Sequence, residues 1–171
     1  DIEVTVKCRV GVDQQDPNVT LPKFLEYISN AGVTRVIIHA RKAILSGLSP
    51  KQNRKVPPLN YELVYQMKEL FPELHISLNG GIQSLQEAKG HLDNGIDGVM
   101  IGRAAYQKPG EILIDVDSYI FNEKIQTSEK DIVRRMIPYI ESQYKNGNKV
   151  SKITRHMLGL FSGQPGAKGW R

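Results

Sequence analysis

Four short segments carry the residue types from which a site could be built. They are Lys7 with Arg9, His39 with Arg41, Asn79-Gly80-Gly81, and Gly102-Arg103. Three of the four supply a cation, and none supplies Asp or Glu. A divalent metal and a carboxylate base both need acidic oxygens, so neither chemistry is served here. Cations beside paired glycines suit a phosphate instead. Bare backbone at Gly80, Gly81 and Gly102 lets phosphate oxygens approach, and the Arg103 guanidinium can grip them through two parallel N–H groups. Tight-turn formation is the competing reading of the glycines. Lys7 stands among Val4, Val6 and Val10. An ammonium is costly to bury unpaired, so it is expected to face a ligand's negative charge. A Schiff-base lysine of lowered pKa, with Arg9, Arg41 and Arg103 nearby, is the alternative. His39, two residues before Arg41 at the end of an apolar run, is placed for a site role. Cys8 alternates with Lys7 and is expected to face a covering helix as a small hydrophobe.

These segments need elements to hold them in register. Val4–Val10 has strand character. A helix is expected over about 21–31, with Thr20 as its cap, Pro22 in its first turn, and Leu21, Phe24, Leu25 and Ile28 on one face. Arg35–His39 is an apolar run of the kind found in buried parallel strands. A long loop leads to a helix over 61–71 capped by Asn60. Strand His75–Asn79, a helix opened by the capping box Ser84-Leu-Gln-Glu87, and strand Gly98–Ile101 follow. Strands alternating with helices predict an α/β fold with a parallel sheet and right-handed crossovers. Four strands leave the sheet open, whereas a (β/α)8 barrel needs eight strands and about 250 residues. The expected fold is therefore the C-terminal half of a TIM barrel, residues 1–124, followed by a small all-α domain, residues 125–171. A doubly wound sheet is the alternative, although neither GxxxxGK[ST] nor GxGxxG is present. Beyond Pro109 the expected helices are 111–121, 128–144 with a bend at Pro138, and 151–161 capped by Ser151. A coiled tail at 163–169 closes the chain.

In the ligand-binding geometry of parallel αβ sheets, the site lies beyond the carboxyl ends of the strands. All four segments named above fall there. Charge is distributed to match. The chain carries 23 Lys and Arg against 18 Asp and Glu, a net charge of +5. Five of the cations (41, 42, 51, 54, 55) lie between Ala40 and Tyr61 with no acid among them. Six more (145, 149, 152, 155, 168, 171) lie beyond Ser142, again without an acid. What remains is acidic. Two acid-free basic segments on an otherwise acidic chain are the footprint of a face for a polyanion, with two solvated loops as the competing reading. One cysteine excludes an internal disulfide and suits a reducing compartment. No apolar run approaches the ~20 residues of a membrane span. The chain opens on Asp1 without a leader or initiator Met, so an upstream start is expected.

Val4-Thr-Val-Lys-Cys-Arg-Val-Gly11, Ile38-His-Ala-Arg-Lys-Ala43, Gly47-Leu-Ser-Pro-Lys-Gln-Asn-Arg54, Val56-Pro-Pro-Leu59, Leu78-Asn-Gly-Gly-Ile82 and Gly98-Val-Met-Ile-Gly-Arg-Ala-Ala105 resemble the tRNA-dihydrouridine synthases. The A-type subfamily is the closest. Ile153-Thr-Arg-His-Met-Leu-Gly-Leu-Phe161 and Gln164-Pro-Gly-Ala167 resemble the same subfamily's helical domain. The glycine motifs are shared by several FMN barrels; the basic loop and the tail are more specific.

The resemblance implies an FMN-dependent oxidoreductase in a TIM barrel. It would use NADPH to reduce a uridine of the tRNA D-loop, at position 20 or 20a, to 5,6-dihydrouridine. It implies cofactor contacts from Lys7, His39, Asn79, Gly80, Gly81, Gly102 and Arg103, and tRNA contacts from Arg41, Lys51, Arg54, Lys152 and Arg155. Lys152 and Arg155 lie three apart, on one helix face. The family's proton-donating cysteine belongs to an earlier strand, so no catalytic residue is expected in this chain and Cys8 is not assigned that role. Fragment activity is not expected from these residues alone. A cytoplasmic monomer is expected, an organelle being the alternative location. Two other functions stay open: a different phosphate-binding barrel enzyme, such as a Schiff-base lyase using Lys7, and a non-catalytic RNA-binding fragment.

Overall fold

The computed structural model describes residues 2–124 and 127–170. Strand β1 (Val6–Arg9), helix α1 (Pro17–Asn30), β2 (Arg35–His39), α2 (Tyr61–Leu70), β3 (His75–Asn79), α3 (Leu85–Asp93) and β4 (Gly98–Met100) alternate along the chain. The strands form one sheet in the order β1-β2-β3-β4, every pair parallel. This is the α/β fold the alternation implied. Register is simple: Arg9 lies level with His39, His39 with Asn79, and Asn79 with Met100. The carboxyl ends of four strands thus form one row.

Alternation along each strand divides the sheet into two faces. Val36, Ile38, Ile76 and Leu78 point to one face, where none has exposed surface, and Leu21 and Leu25 of α1 with Leu63, Val64 and Met67 of α2 join them in one core. Each such side chain contributes about 1.5–3 kcal/mol by leaving water. Cys8 packs on this face, as alternation required. Lys7, Arg9, His39, Ser77 and Asn79 project from the other.

Element starts follow local capping. Helix α1 begins four residues before the expected Leu21. Asp16 is its cap, its carboxylate accepting from the Asn18 amide at 2.9 Å, and Pro17 takes the first position. The Asp-Pro pair and the Thr-Leu-Pro pair one turn later carry the same signature. The earlier one prevails, leaving Pro22 inside the helix, and Thr20 donates its hydroxyl to the Asp16 carbonyl instead of capping. Helix α2 starts at the expected place, with Asn60 Oδ1 accepting from the Leu63 amide at 3.0 Å. Asp97 ties three elements together. Its Oδ2 accepts from the Ile76 amide of β3 at 2.8 Å and from Lys68 Nζ of α2 at 2.9 Å, just before β4.

The chain divides into two compact units, residues 1–82 with 87–101, and residues 83–86 with 102–171. The junction expected at 124/125 falls at residues 125 and 126, which lie outside those described. The second unit contains helices α4 (Arg103–Gln107), α5 (Pro109–Leu113), α6 (Val116–Phe121), α7 (Glu129–Lys145), α8 (Ser151–Thr154) and α9 (Ala167–Trp170). The single helix expected over 111–121 is two. Ile112, Ile114 and Val116 supply β-branched side chains across the break, which weakens helical continuity. Helix α7 starts where expected, one residue after its cap Ser128, whose hydroxyl accepts from the Asp131 amide at 3.2 Å. The helix expected over 151–161 stops at Thr154. Gly159 then packs so closely on the Gln107 carbonyl that a Cβ there would overlap it. The tail is not coiled: α9 brings the Trp170 ring edge-on to Phe161 at 4.8 Å and its Nε1 to the Met157 carbonyl at 3.0 Å.

Candidate cofactor and nucleic-acid site

The strand-end row starts from two polar side chains that reach over β2. Lys7 Nζ of β1 donates to Asn79 Oδ1 of β3 at 3.0 Å, and Asn79 Nδ2 donates to the Met100 carbonyl of β4 at 2.7 Å. Both ends of the amide are thereby committed, and the ammonium is held over the middle of the sheet. Burial lowers the Lys7 pKa, the Arg9 guanidinium lowers it further, and the Cys8 sulfur works the other way. Among the described residues Lys7 has no carboxylate partner. A cation that has lost part of its hydration without gaining an anion is poised to take one from outside the chain.

His39, at the end of β2, is only 9% exposed. Its ring lies against Gly80, where an added Cβ would come within 3.3 Å of Nε2. Gly80 and Gly81 both have positive φ, 116° and 82°. A Cβ on Gly81 would overlap Leu59 and the Tyr61 hydroxyl, at 2.6 and 2.7 Å. That hydroxyl donates to the Gly80 carbonyl at 2.6 Å. The turn after β3 is therefore fixed by Leu59, Tyr61 and His39. Glycine is required there by the chain's own backbone and packing, before any ligand is considered.

The long loop after β2 is braced by residues whose part the sequence did not disclose. Arg9 Nη1 donates to the carbonyls of Lys42, at 2.8 Å, and Asn53, at 3.0 Å. Arg41 Nη1 donates to the carbonyls of Pro57 and Lys55. Asn53 accepts from the Ile44 amide at 2.8 Å and donates to the Ile44 and Leu48 carbonyls at 2.7 and 3.3 Å. Burial lowers the Arg9 pKa, and Arg41 and Arg54 add repulsion, so three guanidiniums gather at this point. The signal for Arg9 was its place two residues beyond Lys7, on the same face. With no acid in the loop between Ala40 and Tyr61, a guanidinium there finds carbonyls. Arg41, expected to touch nucleic acid, is engaged with the loop itself. A single 3₁₀ turn, Gln52–Arg54, presents the remaining cations, and Lys51 and Lys55 stand exposed at its ends.

Gly102 and Arg103 open α4 in the second unit. Gly102 has negative φ, and a Cβ there would meet nothing within 4 Å. Lys152 lies in α8 and Arg155 directly after it; both are exposed. Arg155 Nε donates to His156 Nε2 at 3.1 Å, and His156 Nδ1 is 3.0 Å from the Tyr106 hydroxyl. Burial pushes the Cys8 thiol up to about 11, against the pull of Lys7, so it stays protonated at neutral pH and faces the core. No helix among the described residues is long and apolar enough to cross a membrane.

The family model for dihydrouridine synthase (Dus) matches residues 1–171. The chain belongs to the dihydrouridine synthase family. Curated proteins named tRNA-dihydrouridine(20/20a) synthase are similar to it throughout. The one from Salmonella typhi is 55% identical over 99% of this chain, and that from Escherichia coli K12 is 54% identical over 99%. The one from Shewanella oneidensis is 49% identical over 100%. These alignments cover 51%, 49% and 51% of the relatives, so the chain spans about half the length of the curated relatives it matches. Among solved structures, the RcsB response regulator from Salmonella typhimurium aligns over 90% of this chain and 88% of its own at 12% identity. Its TM-score of 0.32 is too low to bear on the fold. What this dihydrouridine synthase chain contributes by its own geometry is an acid-free row of strand ends and a braced basic loop beside it.

Proposed function

We propose that the chain is the C-terminal half of an FMN-dependent (β/α)8-barrel enzyme that reduces a uridine of tRNA to 5,6-dihydrouridine at the expense of NADPH. Residues 1–124 supply the last four βα units, and residues 125–171 supply a small helical domain that binds tRNA. The names of the relatives support the reaction and position 20 or 20a of the D-loop as its place. The observation that carries the reading is Lys7 Nζ, held at 3.0 Å from Asn79 Oδ1 on a row of strand ends that has no carboxylate.

The residues present fit FMN. The Lys7 ammonium and the Asn79 amide suit the electron-rich edge of the ring system. Buried His39 flanks them; the positive-φ backbone of Gly80 and Gly81 suits a phosphate, and the Arg103 guanidinium of the second unit has the chemistry to grip one. Bound there, FMN supplies hydride chemistry between NADPH and the C5–C6 bond of uridine. The chain's own residues bind and orient. Lys7 offers a positive charge where negative charge accumulates on reduction. Arg9 and Arg41 hold the loop that carries Lys51 and Arg54, and those two with Lys152 and Arg155 grip tRNA phosphates. The resemblance assigns the proton that completes the reduction to a cysteine outside these residues; the Cys8 thiol, turned to the core, is not that donor. On this reading the enzyme is a cytoplasmic or organellar monomer.

The test is the intact protein. It is expected to hold FMN, to be bleached by NADPH, and to be reoxidised by tRNA lacking dihydrouridine but not by tRNA already modified. Absence of flavin, with a borohydride-trapped adduct on Lys7, would support a Schiff-base lyase instead, a reading that the lowered Lys7 pKa favours.

A further inference from the structure

An apolar groove of about 320 Å³ opens between the end of β1, the start of α1 and the basic loop, entirely within the first unit. Its lining includes buried Val10 and Pro57, half-buried Ile44 and Leu48, and exposed Val56 and Pro58. We propose that this groove is a nucleobase subsite, separate from the strand-end row, which takes an unpaired base of the bound RNA while the exposed lysines of the loop, Lys51 and Lys55, hold the adjoining phosphates. The proposal rests on the tRNA reading above and adds a second place at which the RNA is held.

Size, lining and charge each support one ring system attached to phosphate. The volume sits at the low end of the range for small-molecule sites, roughly 300–1,000 Å³. Flat proline faces and branched aliphatic side chains stack against a base without selecting among bases, as single-stranded RNA sites do. Lys42 lines the groove with its stem while its Nζ donates to the Gln15 carbonyl at 2.7 Å. Lys51 and Lys55 stand exposed on the same loop, which has no acid between Ala40 and Tyr61. The acids just before the groove, Asp13 and Asp16, are turned to backbone and side-chain amides. Asp13 Oδ1 accepts from the Leu45 amide at 2.7 Å, and Asp16 Oδ1 accepts from the Asn18 amide and side chain. A helical or extended apolar partner would find complementary surface but not complementary charge.

The groove is also preformed. Ala43 donates its amide to the Gly11 carbonyl at 2.9 Å, the Asp13 amide donates to the Ala43 carbonyl at 2.7 Å, and Asn53 fastens Ile44 and Leu48. The walls are fixed before a ligand arrives, so little ordering cost remains for binding.

Two measurements on the intact protein test this. With adenosine 5′-monophosphate as the probe, transferred NOEs are expected from the base protons to the methyl groups of Ile44, Leu48 and Val56, with ribose 5-phosphate giving none. The variant Leu48→Phe puts a bulkier, rigid side chain into the groove wall and leaves every cation in place. It is expected to weaken tRNA binding roughly five- to 100-fold, the range for one stacked base, with the slope of log K against log salt unchanged. Wild-type tRNA affinity in Leu48→Phe, or a loss accompanied by a shallower salt slope, overturns the subsite. So does the absence of the NOEs, which decides the matter even if the variant does not fold. A dimer in sedimentation that covers Leu48 and Val56 overturns it as well. Failure of the underlying reading is distinguishable, because the wild-type protein would then bind no tRNA at all.

Discussion

At the scale of single residues, the strand-end row depends on Asn79 as much as on Lys7. The amide offers an acceptor without a charge, which leaves the positive field of the ammonium available to a ligand. Replacing Asn79 by Asp would place a carboxylate about 3.0 Å from Lys7 Nζ and neutralise that field. If the row holds FMN as proposed, Asn79→Asp in the intact protein is expected to reduce the flavin-to-protein ratio, corresponding to roughly a tenfold or greater loss of FMN affinity. Loss of a charge-assisted contact of about 1.5–3 kcal/mol accounts for that size. Asn79→Ala should lose less, since it removes the acceptor but leaves the charge. Cys8, one position from Lys7, gives the opposite kind of prediction. With its thiol pushed up to about 11 by burial, the thiolate fraction is small at pH 8. Alkylation of the native protein at Cys8 is expected to be slow until pH nears that value or the chain unfolds, as mass spectrometry would record. Both placements were legible in the sequence, because strand alternation puts Lys7 and Cys8 on opposite faces. The parts played by Arg9 and Arg41 were not. Their acceptors are backbone carbonyls at residues 42, 53, 55 and 57, and no pattern of side chains announces where a loop will turn its carbonyls.

At the scale of elements, most helices and strands followed from their caps and periodicity, and the start of α1 differed because two local signals competed. Asp16-Pro17 and Thr20-Leu21-Pro22 both have the form of a helix start. Asp16→Ala is expected to cost about 0.5–2 kcal/mol, measured as a lower urea midpoint, because its carboxylate and not the Thr20 hydroxyl satisfies the first free amide. Asp97 joins α2, β3 and the entry to β4, a role that a loop aspartate before a short strand does not reveal in sequence. Burial raises its pKa, but Lys68, the Ile76 amide and the charges of Lys68 and His75 outweigh that and hold the carboxyl below its usual value. A depressed folded pKa means stability that is present above the unfolded carboxyl value and lost as pH falls through the folded one. Asp97→Asn is therefore expected to lower the unfolding free energy by roughly 1–3 kcal/mol at pH 7. The difference from wild type should shrink progressively in acid, as denaturant titrations between neutral and strongly acidic pH would resolve. A difference that stayed constant with pH would show that packing, and not the ion pair, is what Asp97 contributes.

At the scale of the whole molecule, the charge pattern is the feature that no single element explains. Removing the two acid-free basic segments leaves 12 cations against 18 acids, so the rest of the chain is net acidic and the positive surplus lies in those segments. One segment is the braced loop with Lys51 and Arg54; the other holds Lys152 and Arg155 in the helical part. If both engage RNA phosphates, each cation accounts for released counterions, and the slope of log K against log salt should fall by roughly 0.7–0.9 for each contact removed. Lys51→Ala with Arg54→Ala, and separately Lys152→Ala with Arg155→Ala, are each expected to reduce the slope by about twice that amount. The four-fold variant should show the sum, since sites with no shared partners behave additively. A loop pair that left the slope unchanged would mean that the loop is built to position its apolar groove and not to bind phosphate. Direct charge contact would then rest with the helical segment alone. A shallower slope for the loop pair, together with an unchanged slope for Leu48→Phe, would separate the two kinds of contact on one loop, phosphate by cation and base by apolar surface.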